Sequence, residues 1–213
     1  MKNRIQVLQG SLLALTAVLV VSGSVAIAAS EETVKGTVTR YLTNPEGDVD
    51  GLLLNNGTQI HFPPHMSSQL TELVKMNDAV SIKGEKENSH VFRAMTVTND
   101  KSGKSVTEAP PKMDGVAGKG RPPGPPPGGP GRDKMKRENL EAMTATGKIE
   151  TELYGRRDEV NGVILSDKTI VRFGPRVSEN SKVKTSVGSN LKATGYGTKN
   201  DFGKTIEATE LSN

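Results

Sequence analysis

Residues 47–64 read GDVDGLLLNNGTQIHFPP, and residues 158–175 read DEVNGVILSDKTIVRFGP. The two stretches lie 111 positions apart and share a valine, a glycine, a leucine, a threonine, a phenylalanine and a proline at matched places. The match holds without a gap from Gly36 with Gly147 to Gly84 with Gly195, and 10 of the 49 pairs are identical. A three-residue insertion then restores register, aligning Ala94 with Ala208. Spacing and residue type kept together over that length mark an internal repeat, and a repeat governs the fold before any local feature does.

Within one copy the periodicity is that of strands. They are expected at about Val34–Leu42, Val49–Leu54 and Thr58–Phe62. Asn56-Gly57 is a hairpin signal, because a type I′ turn needs positive φ at both central residues. Pro63-Pro64 ends the third strand, since proline lacks the amide a ladder requires. Leu70, Leu73 and Val74 then follow at helical spacing within Ser67–Val74. Two further strands, about Ala79–Lys83 and Val91–Val97, complete the order β-β-β-α-β-β. That order in under 70 residues is that of an OB barrel. The expected class is all-β, with two five-stranded OB-like barrels in tandem and a short helix between strands three and four of each. Phe62 and Phe173 share a face with Ile60 and Val171 and are expected in the cores.

The stretch from Gly47 to His65, with its partial echo in the second copy, resembles a family of exported bacterial proteins built from tandem OB-like domains, and more distantly periplasmic bacterial OB-fold proteins. The resemblance spans both copies and the Pro/Gly-rich spacer. It implies fold and compartment, and it carries no ligand or site residue. The second copy departs from the signature at Gly174-Pro175-Arg176, which replaces Pro63-Pro64-His65, and at Asp167-Lys168, which replaces the Asn-Gly turn.

The flanks supply an address. Lys2 and Arg4, an apolar run from Leu12 to Val21 and the stretch Ala26-Ile27-Ala28 have the layout of a secretory signal, so residues 1–28 are expected to be removed after Ala28. The apolar run is shorter than the roughly 20 residues a bilayer demands. With no cysteine there is neither lipid attachment nor a disulfide, and a periplasmic or secreted protein is expected. OB-like domains are expected at 31–99 and 144–213. The basic linker 100–143 holds eight of the 12 prolines. It offers no material for a core, and a short helix is expected over Arg132–Met143.

No nucleophile with a base, cofactor loop or metal cage is visible. His61-x-x-x-His65 would suit a metal only on a helix, which Pro63-Pro64 forbids, and zinc wants about four ligands; no cofactor is expected. Glu46, Asp48 and Asp50 alternate onto one strand face and form a weak candidate for a hard cation, against a solvated polar face. The stronger signal is a contrast between copies. At the places where OB folds bind, the first copy offers Glu46, Asp48, Asp50, Glu85 and Glu87, with His61, Lys86 and His90. The second offers Arg156, Arg157, Arg172, Lys199 and Lys204 among Tyr154, Tyr196 and Phe202. Cations mixed with rings suit an anionic chain, so Arg156, Arg157, Arg172, Tyr196 and Lys199 are the candidate ligand face, expected to be exposed. The sequence points first to a non-enzymatic binding or interaction module of the envelope. An alternative is a binder of an anionic polymer, such as single-stranded nucleic acid or acidic polysaccharide, through the second domain and the linker. An enzyme of unrecognised type stands third. Few contacts are expected to cross the linker, so each copy is expected to fold by itself.

Overall fold

The computed structural model describes residues 31–108 and 140–213. The expected signal segment 1–28 and the bulk of the expected linker lie outside the described residues. The first domain consists of β1 (Glu32–Thr43), β2 (Val49–Leu54), β3 (Gln59–His61), a 3-10 turn (Pro64–Met66), α1 (Ser67–Leu73), β4 (Ala79–Lys86), β5 (Val91–Asn99) and β6 (Ser105–Thr107). The second consists of β7 (Glu141–Tyr154), β8 (Val160–Leu165), β9 (Ile170–Arg172), α2 (Pro175–Ser181), β10 (Asn190–Asn200) and β11 (Gly203–Ser212).

Both domains close the same way. In the first, β1 pairs with β2 and β4, β2 with β3, and β4 with β5, and the ring is completed by a parallel pairing of Gln59–His61 with Val91–Arg93. In the second, Ile170–Arg172 pairs in parallel with Thr205–Glu207, closing the ring β10-β11-β9-β8-β7. The protein is therefore all-β with two five-stranded barrels in OB order, as the repeat implies.

A strand that serves two neighbours must bend. β1 pairs with β4 through Glu32–Thr37 and with β2 from Val38 onward, with a register shift between Val38 and Arg40. β7 shifts at the matching place, between Ile149 and Thr151, as expected of bulges at barrel corners. Gly51 and Gly162 permit the tight approach of the next strand. A Cβ on Gly51 would stand 2.6 Å from the Ile60 carbonyl oxygen, and one on Gly162 would stand 2.7 Å from that of Val171. Gly51→Ala should therefore cost about 1–3 kcal/mol, the usual range for forcing a methyl into a packed site. A denaturant midpoint equal to that of the parent would contradict this account.

The cores are small and apolar. Val38, Leu52, Leu54, Ile60, Phe62, Ile82 and Phe92 fill the first barrel, and Ile149, Val163, Leu165, Val171, Phe173, Leu191 and Ile206 fill the second. Phe62 and Phe173 are in the cores as expected.

Four expectations are corrected. The Asn56-Gly57 hairpin is not type I′, because of that pair only Gly57, at φ +83°, has positive φ. Its amide donates to Leu54 O at 3.0 Å, and Leu54 N donates to Thr58 O at 3.0 Å, the pattern of a three-residue loop with a glycine bulge. Lys168 takes the same left-handed place in the second copy, at φ 71°. The first domain does not end at Asn99: Gly103 turns the chain back, and β6 adds to the edge of β5 by pairing Ser105–Thr107 with Thr98–Thr96. Glu141–Met143, placed at the end of an expected helix, is strand in β7. Its amides and carbonyls find ladder partners on Gly195–Gly197 of β10.

The fourth correction concerns the barrels' independence. Leu42 and Leu53 of the first barrel pack with Leu153, Ile164 and Ile170 of the second, in an apolar cluster separate from both cores. Leu42 and Leu153 are wholly buried there. The outer faces of β1-β2-β3 and β7-β8-β9 are thus turned toward each other, and the two copies form one body.

Candidate functional site

The loop from β1 to β2 is set by local hydrogen bonds. Gly47 N donates to Asn44 O at 3.0 Å, Asn44 N donates to Asp48 O at 2.9 Å, and Asp48 N donates to Asn44 Oδ1 at 2.8 Å. The β7–β8 loop repeats the form, with Asp158 N donating to Gly155 O and Gly155 N to Glu159 O, Asp158 taking positive φ in place of Gly47. Each loop meets the β4–β5 or β10–β11 hairpin of the other barrel. Asn200 Nδ2 donates to Gly47 O at 2.8 Å, and Asn88 Nδ2 donates to Gly155 O at 2.7 Å. The arrangement is roughly two-fold, as a repeat packed against itself makes possible.

Between these loop pairs run the strands that in an OB barrel carry the ligand. Gln59 of β3 donates from Nε2 to Glu152 O at 2.9 Å and accepts from Tyr154 N at 3.0 Å, so its amide bridges two backbone groups of β7. Arg40 donates to Lys168 O at 2.7 Å. Thr43 and Thr205 share a buried hydroxyl contact.

The acidic and basic contrast between the copies resolves into pairs. Arg172 Nη2 lies 3.3 Å from Asp50 Oδ1, and Arg156 Nε lies 2.9 Å from Glu87 Oε1. The rings pair as well: Tyr154 stacks on His90 with centroids 4.0 Å apart, and Phe202 meets Tyr41 edge-on at 5.6 Å.

Arg172 was expected to be exposed, but its side chain is 16% exposed and spans the interface. Tyr196 lies in register with Glu207, which is in register with Arg172, so the row expected on the surface exists, although its arginine turns to Asp50. Arg156 is 71% exposed despite its partner, and Arg157 beside it is exposed. Both stand in the β7–β8 loop, whereas Lys199 stands at the β10–β11 hairpin, which meets the first barrel's β1–β2 loop. The five residues therefore do not converge. Glu46 and Asp48 are exposed, while Asp50 is committed to Arg172, and among the described residues no group of three His, Asp or Glu could hold a metal.

Two recesses flank the interface at repeat-related places. One of about 320 Å³ lies between Asn44, Glu46 and Asp50 of the first barrel and Asn161, Arg172 and Glu207 of the second. The other, of about 190 Å³, is lined by His61 and Arg93 of the first barrel and Arg156 of the second. His61 and Asn161 occupy the repeat positions of Arg172 and Asp50. Where the latter pair is bonded, His61 Nε2 and Asn161 Oδ1 are buried without a protein partner.

Burial, and then the nearby Arg172 and Arg156, push the His61 imidazole down to about 4, so it is neutral at pH 7. The Asp50 carboxyl is raised, because desolvation outweighs the attraction of Arg172. The Tyr154 hydroxyl donates to Glu152 Oε2 at 2.6 Å, which, with burial, lifts it to about 12.

No protein-family model and no curated protein matches the chain. Among solved structures it is similar to a deletion mutant of the single-stranded DNA binding protein from Thermus aquaticus. Identity is 11% and the TM-score is 0.24, with 86% of this chain and 93% of that one covered.

Proposed function

We propose that the chain is a non-catalytic binding module of the bacterial envelope, that it works as one two-barrel body, and that it recognises protein rather than charged polymer. The supporting observation is the fate of the OB contact surface. Its loops, its strand faces, the rings of Tyr154 and Phe202, and Arg156 and Arg172 engage the other barrel, the two arginines on Glu87 and Asp50. The layout of residues 1–28 supports the periplasmic or extracellular address.

Titration of labelled oligothymidylate and of polygalacturonate with the intact mature protein tests the choice of partner. No saturable binding is expected between about 50 and 200 mM salt. Polymer binding whose affinity falls log-linearly with salt, with a slope that shrinks in Arg156→Ala/Arg157→Ala, would replace this reading by the anionic-polymer one. For the address, N-terminal sequencing of the periplasmic fraction should begin at Ala29. A chain that starts at Met1 and stays in the cytosol would contradict it.

A further inference from the structure

The repeat makes each barrel a control for the other, and the two differ at one edge. In the first barrel, β6 lies antiparallel on Thr96–Thr98 of β5, and Val106 packs against the core beside α1. The alignment that pairs Ala94 with Ala208 equates Thr96–Thr98 with Glu210–Ser212. β11 is paired with β10 along its length, but on its other side β9 reaches only Thr205–Glu207. Among the described residues no strand pairs with Ala208–Ser212 on that side.

What lies there is α2. It carries no buried residue, whereas α1 buries Leu70 and Thr71. Two hollows flank it against β11. One of about 720 Å³ is lined by Pro175, Val177, Ala208 and Thr209, and one of about 300 Å³ by Arg176, Asn180, Glu210 and Leu211. The floor is apolar, with Ala208 and Leu211 each 4% exposed. A strand edge without a ladder partner, beside an apolar trough, is the arrangement that β-strand addition uses: the backbone supplies affinity and alternate side chains supply fit.

We propose that the edge Ala208–Ser212, with the trough under α2, accepts an extended segment of a partner protein. The segment lies antiparallel to β11 and carries one β-branched apolar residue between uncharged polar ones. The first barrel shows that chemistry in place, as Ser105-Val106-Thr107 under α1. α2 shifts to admit the strand, giving up the contact that half-buried Val177 makes with the second core. This inference deepens the interaction-module reading and rests on it. It is read at individual amides, so its failure is distinct from a positive polymer titration.

The probe is a synthetic peptide with the sequence of Ser102–Glu108, offered to the intact ¹⁵N-labelled mature protein. Saturable shifts are expected, confined to Ala208–Ser212 and α2, with a Kd of about 1 mM or tighter, the range of a short strand with a single anchor. The Val106→Pro peptide should bind at least about tenfold more weakly, because proline removes a ladder donor. The change is in the peptide, so folding of the protein is not at issue. Absent shifts, shifts elsewhere, or equal binding of the proline peptide overturn the proposal. So do edge shifts that appear on concentrating the protein alone, which would make a second copy the occupant. Edge amides protected before any peptide is added, and released by cleavage within 109–139, would assign the place to the chain's own segment and overturn it as well.

Discussion

Leu153→Ala should lower the stability of the whole protein by about 2–5 kcal/mol, the range for deleting a buried leucine side chain where neighbours relax only in part. Leu153 is wholly buried, yet it belongs to neither barrel core. It packs with Leu42, Leu53, Ile164 and Ile170 between the barrels. The loss should therefore appear in both domains. Backbone probes in β4 and in β10 should both shift to lower denaturant, and the parent should unfold in one transition. Leu42→Ala should act alike, and the double variant should lose less than the sum, since neighbours that share a cavity do not add. A Leu153→Ala protein in which β4 keeps its midpoint would show that the interface contributes nothing to the first barrel.

Acid should weaken the same interface through His61. An unfolded imidazole takes up a proton near pH 6.5, whereas in the fold His61 does so only near 4. Between those values the unfolded state holds more protons, so stability falls as pH falls. The contribution is intact above pH 6.5, and about 3 kcal/mol is lost by pH 4. Asp50 acts with the opposite sign. Its carboxyl is raised in the fold, so above its ordinary value acidification favours the folded state. In His61→Gln the decline from pH 6.5 to 4 should vanish and the opposite trend of Asp50 should emerge. A His61→Gln protein whose pH profile overlays that of the parent would show that the imidazole is not shielded from protonation.

The barrels were legible because their signals are local or repeated. Gly51 and Gly162 sit where a strand must be approached closely, Pro63 and Pro64 follow the last ladder residue of β3, and alternation in β4 and β10 shows one buried face. The interface was less legible, although it left a trace in Leu52-Leu53-Leu54 and Val163-Ile164-Leu165. Three successive apolar residues in a strand present hydrophobic groups to both faces, and a strand buried on both faces reads as a continuous run. Leu53 and Ile164 are the outward members, and they pack between the barrels. In the sequence the charge contrast reads as a site for an external ligand, because a sequence shows which charges a copy carries but not that the other copy receives them. β6 is illegible in the sequence for a different reason. Three residues beyond a Gly-containing turn, at the start of a segment rich in proline and lysine, give too short a period to register.

The apolar patch between the barrels also has a duration. Leu42 and Leu53 are complete once β2 ends at Leu54, but the residues that cover them end with β9 at Arg172, 118 positions later. At about 5–20 residues per second of synthesis, the first barrel's leucines wait on the order of 6 to 24 s for their cover. Over that interval the growing chain carries a sticky face with nothing to hold it, so a holding chaperone would find its natural footprint on the outer surface of β1 and β2.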